Sequence, residues 1–262
     1  MARTTRLLAS LAALSFVVAS CGGSSDSEAT TDGALKTIAA GKLTVCSDAP
    51  YEPFEFQAED GTWTGFDMDV VRKIAEANEL ELAVTVQPFD GIWLAPAAGT
   101  CDMVASSMTI TPEREKAADF TASYFDAFQS LLVRKADAET YTTVESLKGK
   151  TIAVQTGTTG EAYAKANATE SEIQSFDEAS AMFLALESGQ VDAVLQDYLI
   201  NKERADKQGT SAVSAKFEET PESYGFAVEK GNTELLTILN KGIQDLRDSG
   251  DYDTIYNKYF IG

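Results

Sequence analysis

Along most of this chain, short continuous apolar runs alternate with stretches whose apolar residues recur at helical spacing, the marks of strand and helix in turn. Lys42 to Cys46 forms the first predicted strand and runs into the polar loop Ser47-Asp48-Ala49-Pro50-Tyr51-Glu52-Pro53-Phe54. Gly65-Phe66-Asp67 then leads into a helix capped by Asp67, with Val70, Val71, Ile74 and Ala75 on one face. Leu82 to Val86 is a second strand, a helix-like stretch lies near Trp93, and Met103 to Ser106 is a third strand. This β-α-β-α-β order predicts a largely parallel sheet covered on both faces. A second unit begins near Leu131, with strands at Thr151 to Val154 and Val191 to Leu195. Its helices fall at Glu161 to Ala166, after the turn Gly157 to Gly160, and at Ser180 to Glu187. Tyr224 to Val228 is a further strand, followed by amphipathic helices at Thr233 to Asp248, stopped by Gly250, and at Tyr252 to Tyr259. At roughly 100–150 residues per domain, the length beyond residue 35 predicts two lobes of class α/β.

The first residues follow a different pattern. Arg3 and Arg6 precede the apolar run Leu7 to Ser20, which is too short to span a bilayer comfortably and ends in Val18-Ala19-Ser20-Cys21. The small residues match a secretory signal peptide over residues 1–20. Cys21 directly after them resembles the lipobox of bacterial lipoproteins, which implies cleavage before Cys21 and a lipid on its sulfur; an ordinary signal peptide beside an incidental cysteine is the alternative. Residues 21–34 are rich in Gly, Ser, Thr, Asp and Ala and are expected to form a flexible tether. No later segment is long and apolar enough to cross a membrane. The expected mature protein is therefore extracytoplasmic and lipid-anchored to the cell membrane without spanning it.

Charge and composition narrow the chemistry. Loss of Arg3 and Arg6 with the signal leaves 19 basic residues against 41 acidic ones, a net charge of −22. Such a surface argues against nucleic acid and against adhesion to anionic lipid. The chain has no histidine, which removes Ser-His-Asp and Cys-His catalysis and histidine-based zinc sites; no metal or cofactor is expected. With Cys21 lipidated, Cys46 and Cys101 remain, and an exported compartment permits a disulfide between them. The bridge is the expectation, with the reservation that parallel neighbouring strands work against the roughly 5.5–6 Å Cα separation it requires. Two buried free thiols are the alternative.

One segment concentrates candidate chemistry: Ser106-Ser107-Met108-Thr109-Ile110-Thr111-Pro112-Glu113-Arg114. Thr111 followed by Pro112 predicts a helix start, with Arg114 in its first turn where unpaired N–H groups favour an anion. A strand end, hydroxyls and an arginine fork at one spot suit a small carboxylate. The alternative is an ordinary capped helix whose Arg114 pairs with Glu113, Glu115 or another surface acid.

The lipobox, Asp48 to Phe54, Gly65-Phe66-Asp67, Thr109 to Arg114, Asp119-Phe120, Gly157-Thr158-Thr159 and Asp192 to Asp197 occur in one order, and together resemble the extracytoplasmic solute-binding family 3, the polar amino-acid-binding proteins of ABC importers. The resemblance covers nearly everything after residue 40. It implies a periplasmic-binding-protein-like type II fold, two α/β lobes joined by two crossing strands in a Venus-flytrap clamshell. Lobe 1 would comprise residues 35–124 plus 225–262, lobe 2 residues 129–220, with hinges near 125–128 and 221–224. Carried onto this sequence, Arg114 would clamp an α-carboxylate with help from Thr109 and Thr159. The Ser107 carbonyl and Asp197 would take the α-ammonium. Tyr51 and Phe89 would sandwich the ligand side chain, and Asp48 would meet its distal end with Gln155 opposite. A carboxylate and two aromatic faces favour a cationic side chain such as arginine, lysine, ornithine or histidine. Glutamine ranks next, cystine lower, and glutamate and aspartate last. The ligand would bridge the lobes, close them and be delivered to a membrane permease by a monomeric, non-catalytic protein. The same fold also resembles exported dehydratases acting on cyclic amino acids, for which Glu52 and Glu161 would be the acids to suspect. A ligand-sensing partner of a membrane receptor would share the same binding step.

Overall fold

The computed structural model describes residues 35–261; the predicted signal peptide, Cys21 and the tether lie outside them. In chain order the elements are β1 (Lys42–Ser47), β2 (Phe56–Gln57), β3 (Trp63–Thr64), α1 (Phe66–Ala77), β4 (Glu81–Val86), β5 (Met103–Val104), β6 (Ala118–Phe120) and β7 (Phe125–Arg134). They continue as β8 (Thr151–Gln155), α2 (Thr159–Asn167), β9 (Glu172–Phe176), α3 (Ala179–Ser188), β10 (Ala193–Asp197), α4 (Tyr198–Gln208), β11 (Ser211–Tyr224), β12 (Ala227–Glu229), α5 (Thr233–Ser249) and α6 (Asp251–Phe260).

Two sheets organise these elements. The first has the order β4-β1-β5-β12-β6 and the second β11-β7-β10-β8-β9. Both are mixed rather than largely parallel. β1 runs parallel to β4 and β5, but β12 returns antiparallel between β5 and β6. In the second sheet β8 is parallel to β9 and β10, whereas β7 is antiparallel to β10 and β11. The alternation of strand and helix was sound evidence for α/β layers, but the antiparallel members come from the two long excursions between sheets, which carry no local signal.

Several local expectations change for identifiable reasons. The helix α1 is preceded by Gly65 at φ 113°, while Asp67 lies inside its first turn, fully buried. A side chain at Gly65 is excluded, because a Cβ there would lie 2.1 Å from the Phe54 carbonyl oxygen. Asp67 instead accepts from the Ser107 N–H at 3.0 Å and the Tyr124 hydroxyl at 2.7 Å. The predicted helix after Thr111 is only a 3₁₀ turn at Arg114–Lys116, cut short by β6, although the Thr111 hydroxyl does accept from the Arg114 N–H at 3.2 Å. The strand at Tyr224 to Val228 breaks at Gly225-Phe226, where the chain leaves the second sheet and enters the first.

Cys46 and Cys101 are joined in a disulfide with a Cα separation of 5.7 Å. Their strands are indeed parallel neighbours, with Cys46 opposite Val104. The bridge closes because the chain bends at Asp102 instead of extending. The Asp102 carboxylate accepts from the backbone N–H groups of Thr44 and Ile38, and its own N–H donates to the Thr44 carbonyl. This pins the segment against β1 and turns Cys101 towards Cys46.

An aromatic cluster fills the space where the chain passes between sheets. Phe54 packs edge-on against Phe125 and Tyr224, at centroid distances of 5.0 and 5.6 Å, and Phe66 against Phe125 at 5.3 Å. Tyr124 stacks on Phe226 at 4.1 Å, and Phe260 of α6 lies against Phe54, Phe66 and Phe125. Thus the start of β7, the end of β11 and the loop Asp48 to Phe54 share one rigid support. Phe54→Ala should cost about 3–5 kcal/mol in urea denaturation, the range for emptying a buried aromatic site. A loss below about 1 kcal/mol would mean that the cluster can collapse around the gap.

Candidate functional site

All nine side chains singled out from the sequence line one cavity between the two sheets: Asp48, Tyr51, Phe89, Ser107, Thr109, Arg114, Gln155, Thr159 and Asp197. Eight stand at or just past an element boundary, and Phe89 lies in the loop after β4. Asp48 and Tyr51 follow β1, Ser107 and Thr109 follow β5, and Arg114 begins the 3₁₀ turn. Gln155 ends β8, Thr159 opens α2, and Asp197 ends β10. Ser107, three residues past β5, has φ 46°, a left-handed conformation that turns its N–H onto Asp67. The Thr158 hydroxyl caps α2 by accepting from the Glu161 N–H, which leaves Thr159 at the first helical position facing the cavity.

Arg114 is 4% exposed, and none of the surface acids suggested by its sequence neighbours pairs with it. Its guanidinium donates to the Thr109 carbonyl at 2.7 Å and, across the cavity, to the Gly157 carbonyl at 3.0 Å. Phe89 and Trp93 lie against it, each with its ring centroid 5.1 Å from Cζ. Burial lowers its pKa to about 10, opposed by attraction to Glu222 and Asp197, so the group remains a cation. Asp197 precedes α4 without capping it. Its carboxylate accepts from Tyr51 at 2.8 Å, Tyr224 at 2.7 Å and the Gln129 amide at 2.5 Å. Desolvation, reinforced by the charge of Glu222, still raises its pKa to about 7.

At the other end of the cavity, Asp48 accepts from the Gln155 amide at 2.6 Å. Burial raises its pKa to about 6, with Gln155 acting against the shift. Behind it sits Glu55, fully buried, accepting from the hydroxyls of Ser107 at 3.0 Å and Ser106 at 3.3 Å. Desolvation first, and the neighbouring Asp67 second, push Glu55 well above the usual carboxylate range, and desolvation raises Asp67 to about 7. The acids suspected for catalysis stand elsewhere. Glu52 pairs with Lys207, and Glu161 accepts from the Gly157 N–H, Ser175 and Lys165; neither lines the cavity. Among the described residues, no group of His, Cys, Asp and Glu is arranged to hold a metal ion.

The sequence reading gave no ligand role to Glu55, Gln129, Ser106 or Glu222. Glu55, Gln129 and Ser106 line the cavity, and Glu222 reaches its wall by accepting from Thr109, Thr159 and Gln129. Ser106 and Glu55 adjoin residues already singled out and were within reach of the same argument. Gln129 and Glu222 lie on β7 and β11, whose pairing shifts register between Lys216 and Pro221 and so cannot be counted off from the sequence.

Two α/β units closing on a polar cavity, with donors and acceptors contributed from both sides, define a clamshell binding protein. The chain belongs to the bacterial extracellular solute-binding proteins, family 3, whose pattern matches residues 43–170 and 147–262. It is 33% identical to a probable histidine-binding protein of Campylobacter jejuni over 80% of this chain and 81% of that protein. It is 30% identical to the L-cystine-binding protein of Escherichia coli over 84% of this chain and 83% of that one. An ancestral arginine-binding protein, solved with arginine and with glutamine, superposes with a TM-score of 0.79 in both structures, at 37 and 38% identity, covering 84% of this chain and 98% of its own. Among the described residues, no helix is long and apolar enough to cross a membrane.

The raised carboxylates have a consequence for stability. Asp67 and Asp197 move from 3.8 to about 7, and Asp48 from 3.8 to about 6. Between the unfolded and folded values the native state holds protons that the unfolded chain has released, so these groups stabilise at low pH and that contribution is lost as pH rises through about 7. The urea midpoint should therefore be higher near about pH 5.5 than near about pH 8. A midpoint that does not fall over this range would show that these carboxylates are already ionised in the folded protein at the lower pH.

Proposed function

We propose that the chain is the extracytoplasmic substrate-binding lipoprotein of an ABC importer, and that it captures a polar L-amino acid with a cationic side chain. The observation that carries this reading is the charge balance of the cavity. Asp48 and Asp197 face the one cation that lines the cavity among the described residues, Arg114, whose own hydrogen bonds go to carbonyl oxygens. A ligand with one carboxylate and two cationic groups complements that arrangement. Its α-carboxylate would pair with Arg114, with the Thr109 and Thr159 hydroxyls beside it. Its α-ammonium would meet Asp197 and the Ser107 carbonyl. Its distal cation would reach Asp48, with Glu55 behind, between the faces of Tyr51 and Phe89. Arginine, lysine, ornithine and histidine fit this description. Glutamine ranks next because Asp48 and Gln155 together offer an acceptor and an amide, and the arginine-binding relative solved with glutamine supports keeping it there.

Closure follows from the division of the site. Arg114 and Asp197 stand on different lobes, so a shared zwitterion favours the closed state over the open one by its differential contacts. We assign residues 35–124 and 225–262 to lobe 1, residues 129–220 to lobe 2 and the hinges to residues 125–128 and 221–224. Residues 1–20 would direct export, Cys21 would carry lipid, and residues 21–34 would tether the monomer to the membrane beside its permease. We take the protein to release its ligand unchanged; Glu52 and Glu161, the acids suspected from sequence, form ion pairs and do not line the cavity.

Isothermal titration of refolded protein against the common L-amino acids tests this reading. Tight binding of a basic amino acid is the expected result, and silence across the panel would refute it. Arg114→Ala should abolish measurable binding. Asp197→Ala should weaken it at least about a hundredfold, as for truncation of one partner of a buried charge pair. Near-normal affinity in either variant would remove that residue from the site. Because protonated Asp48 and Asp197 cannot pair with cations, affinity should fall at least about tenfold between about pH 8 and about pH 5. Affinity that is flat with pH would mean that neither carboxylate meets the ligand's charge.

A further inference from the structure

Glu222 has no role in the function proposed above, yet it holds groups which that function needs. It stands near the end of β11, opposite Ala127 of β7, and is half-buried. One carboxylate oxygen accepts from the Thr109 hydroxyl at 2.5 Å and from the Thr159 hydroxyl at 2.9 Å. The other accepts from the Gln129 amide at 3.1 Å. Thr109 comes from the segment after β5 in the first sheet and Thr159 from α2 beside the second, so a single oxygen spans both walls of the cavity. Its charge also attracts the Arg114 guanidinium more than that of Asp197 does.

These are the surroundings assigned to the ligand's α-carboxylate: two hydroxyls and a guanidinium. Each hydroxyl has one hydrogen to give, and both are committed to Glu222. A ligand carboxylate can take them only after Glu222 releases them. We propose that Glu222 is a tethered carboxylate that competes with the α-carboxylate of the incoming amino acid for Thr109, Thr159 and Arg114. This rests on the amino-acid reading above. The exposed neighbour Pro221 and the partial exposure of Glu222 itself leave a route by which the side chain turns out to solvent. A competitor fixed to the chain is always present at high effective concentration, so it lowers the apparent affinity for a ligand that carries an α-carboxylate. It also supplies the cross-cavity contacts that a ligand carboxylate would otherwise provide, and so eases the exit of the amino acid.

The opposite role is a carboxylate that stays in place and joins Asp197 in holding the α-ammonium. The two roles give different signs. L-arginine and agmatine, which keeps the guanidinium and lacks the carboxylate, would be titrated into the wild type, Glu222→Ala and Glu222→Gln at one pH. Competition predicts that the ratio of arginine to agmatine affinity rises roughly tenfold in Glu222→Ala, as expected when charge-assisted hydrogen bonds are freed for the ligand. Glu222→Gln should shift the ratio in the same direction by less, since its amide oxygen still accepts from the threonines. A ratio that is unchanged or falls, with wild-type binding intact, overturns the competition alone. A wild type that binds no amino acid of the panel overturns the amino-acid reading and the competition with it.

Discussion

The antiparallel pairing of Phe125–Phe128 with Pro221–Tyr224 is the constraint on which the rest of the molecule depends. These two segments are where the chain passes between its sheets, and their register decides which side chains meet at the cavity. Tyr224 opposite Phe125 puts one ring into the aromatic cluster and carries its hydroxyl to Asp197. Two pairs further along, Glu222 stands opposite Ala127, and its carboxylate accepts from Gln129 and from the threonines of both walls. Gly225 then lets the chain cross close to Ile110, where a Cβ would lie 2.8 Å from that side chain. Support and recognition thus share one two-stranded ribbon, and the stiffness of the aromatic cluster is transmitted directly to the polar groups.

The electrostatics of the cavity follow from the same enclosure. Among the described residues, five acidic side chains line or back the cavity that holds Arg114, counting Asp67 and Glu222 behind the lining. Desolvation raises those that are most enclosed, and hydroxyl or amide donors from Tyr51, Tyr124, Ser107 and Gln155 hold each in a fixed direction. The site is therefore built from oriented acceptors with few cations of its own. In a low-dielectric space such acceptors act strongly on any cation that enters.

The α/β class was legible from the alternation of strand and helix, and most of the site residues from the resemblance to a known family rather than from local pattern alone. The Asp48 to Phe54 loop, Thr109 to Arg114 and Gly157 to Thr159 each lie at an element boundary, where proline, glycine and hydroxyl residues mark the turn, and chemistry at strand ends stays local. Arg114 was legible as an anion ligand, but not its packing against Phe89 and Trp93, which the tertiary fold of its own half brings together, or its bond to Gly157 across the cavity. Asp67 was mistaken for a cap because an acid at a helix start has that role by default; tertiary burial overrode it. Glu222 was hidden among 41 acidic residues, and only the bulged register of β11 brings it to the site. The disulfide was legible as a possibility, while the geometry that permits it lies in the bend held by Asp102.

The strand order of the first sheet carries a consequence for how the protein is made. Its fourth position is filled by β12, which lies between β5 and β6 and is the last strand in the chain. The helices that complete that half, α5 and α6, follow it. The second sheet, by contrast, is assembled from a continuous stretch that ends with β11. As the chain emerges from its N-terminus, the second half has all its strands while the first still has a gap between β5 and β6. The half that begins first is finished last, and until β12 arrives its strand edges at β5 and β6 remain open to pairing with other chains.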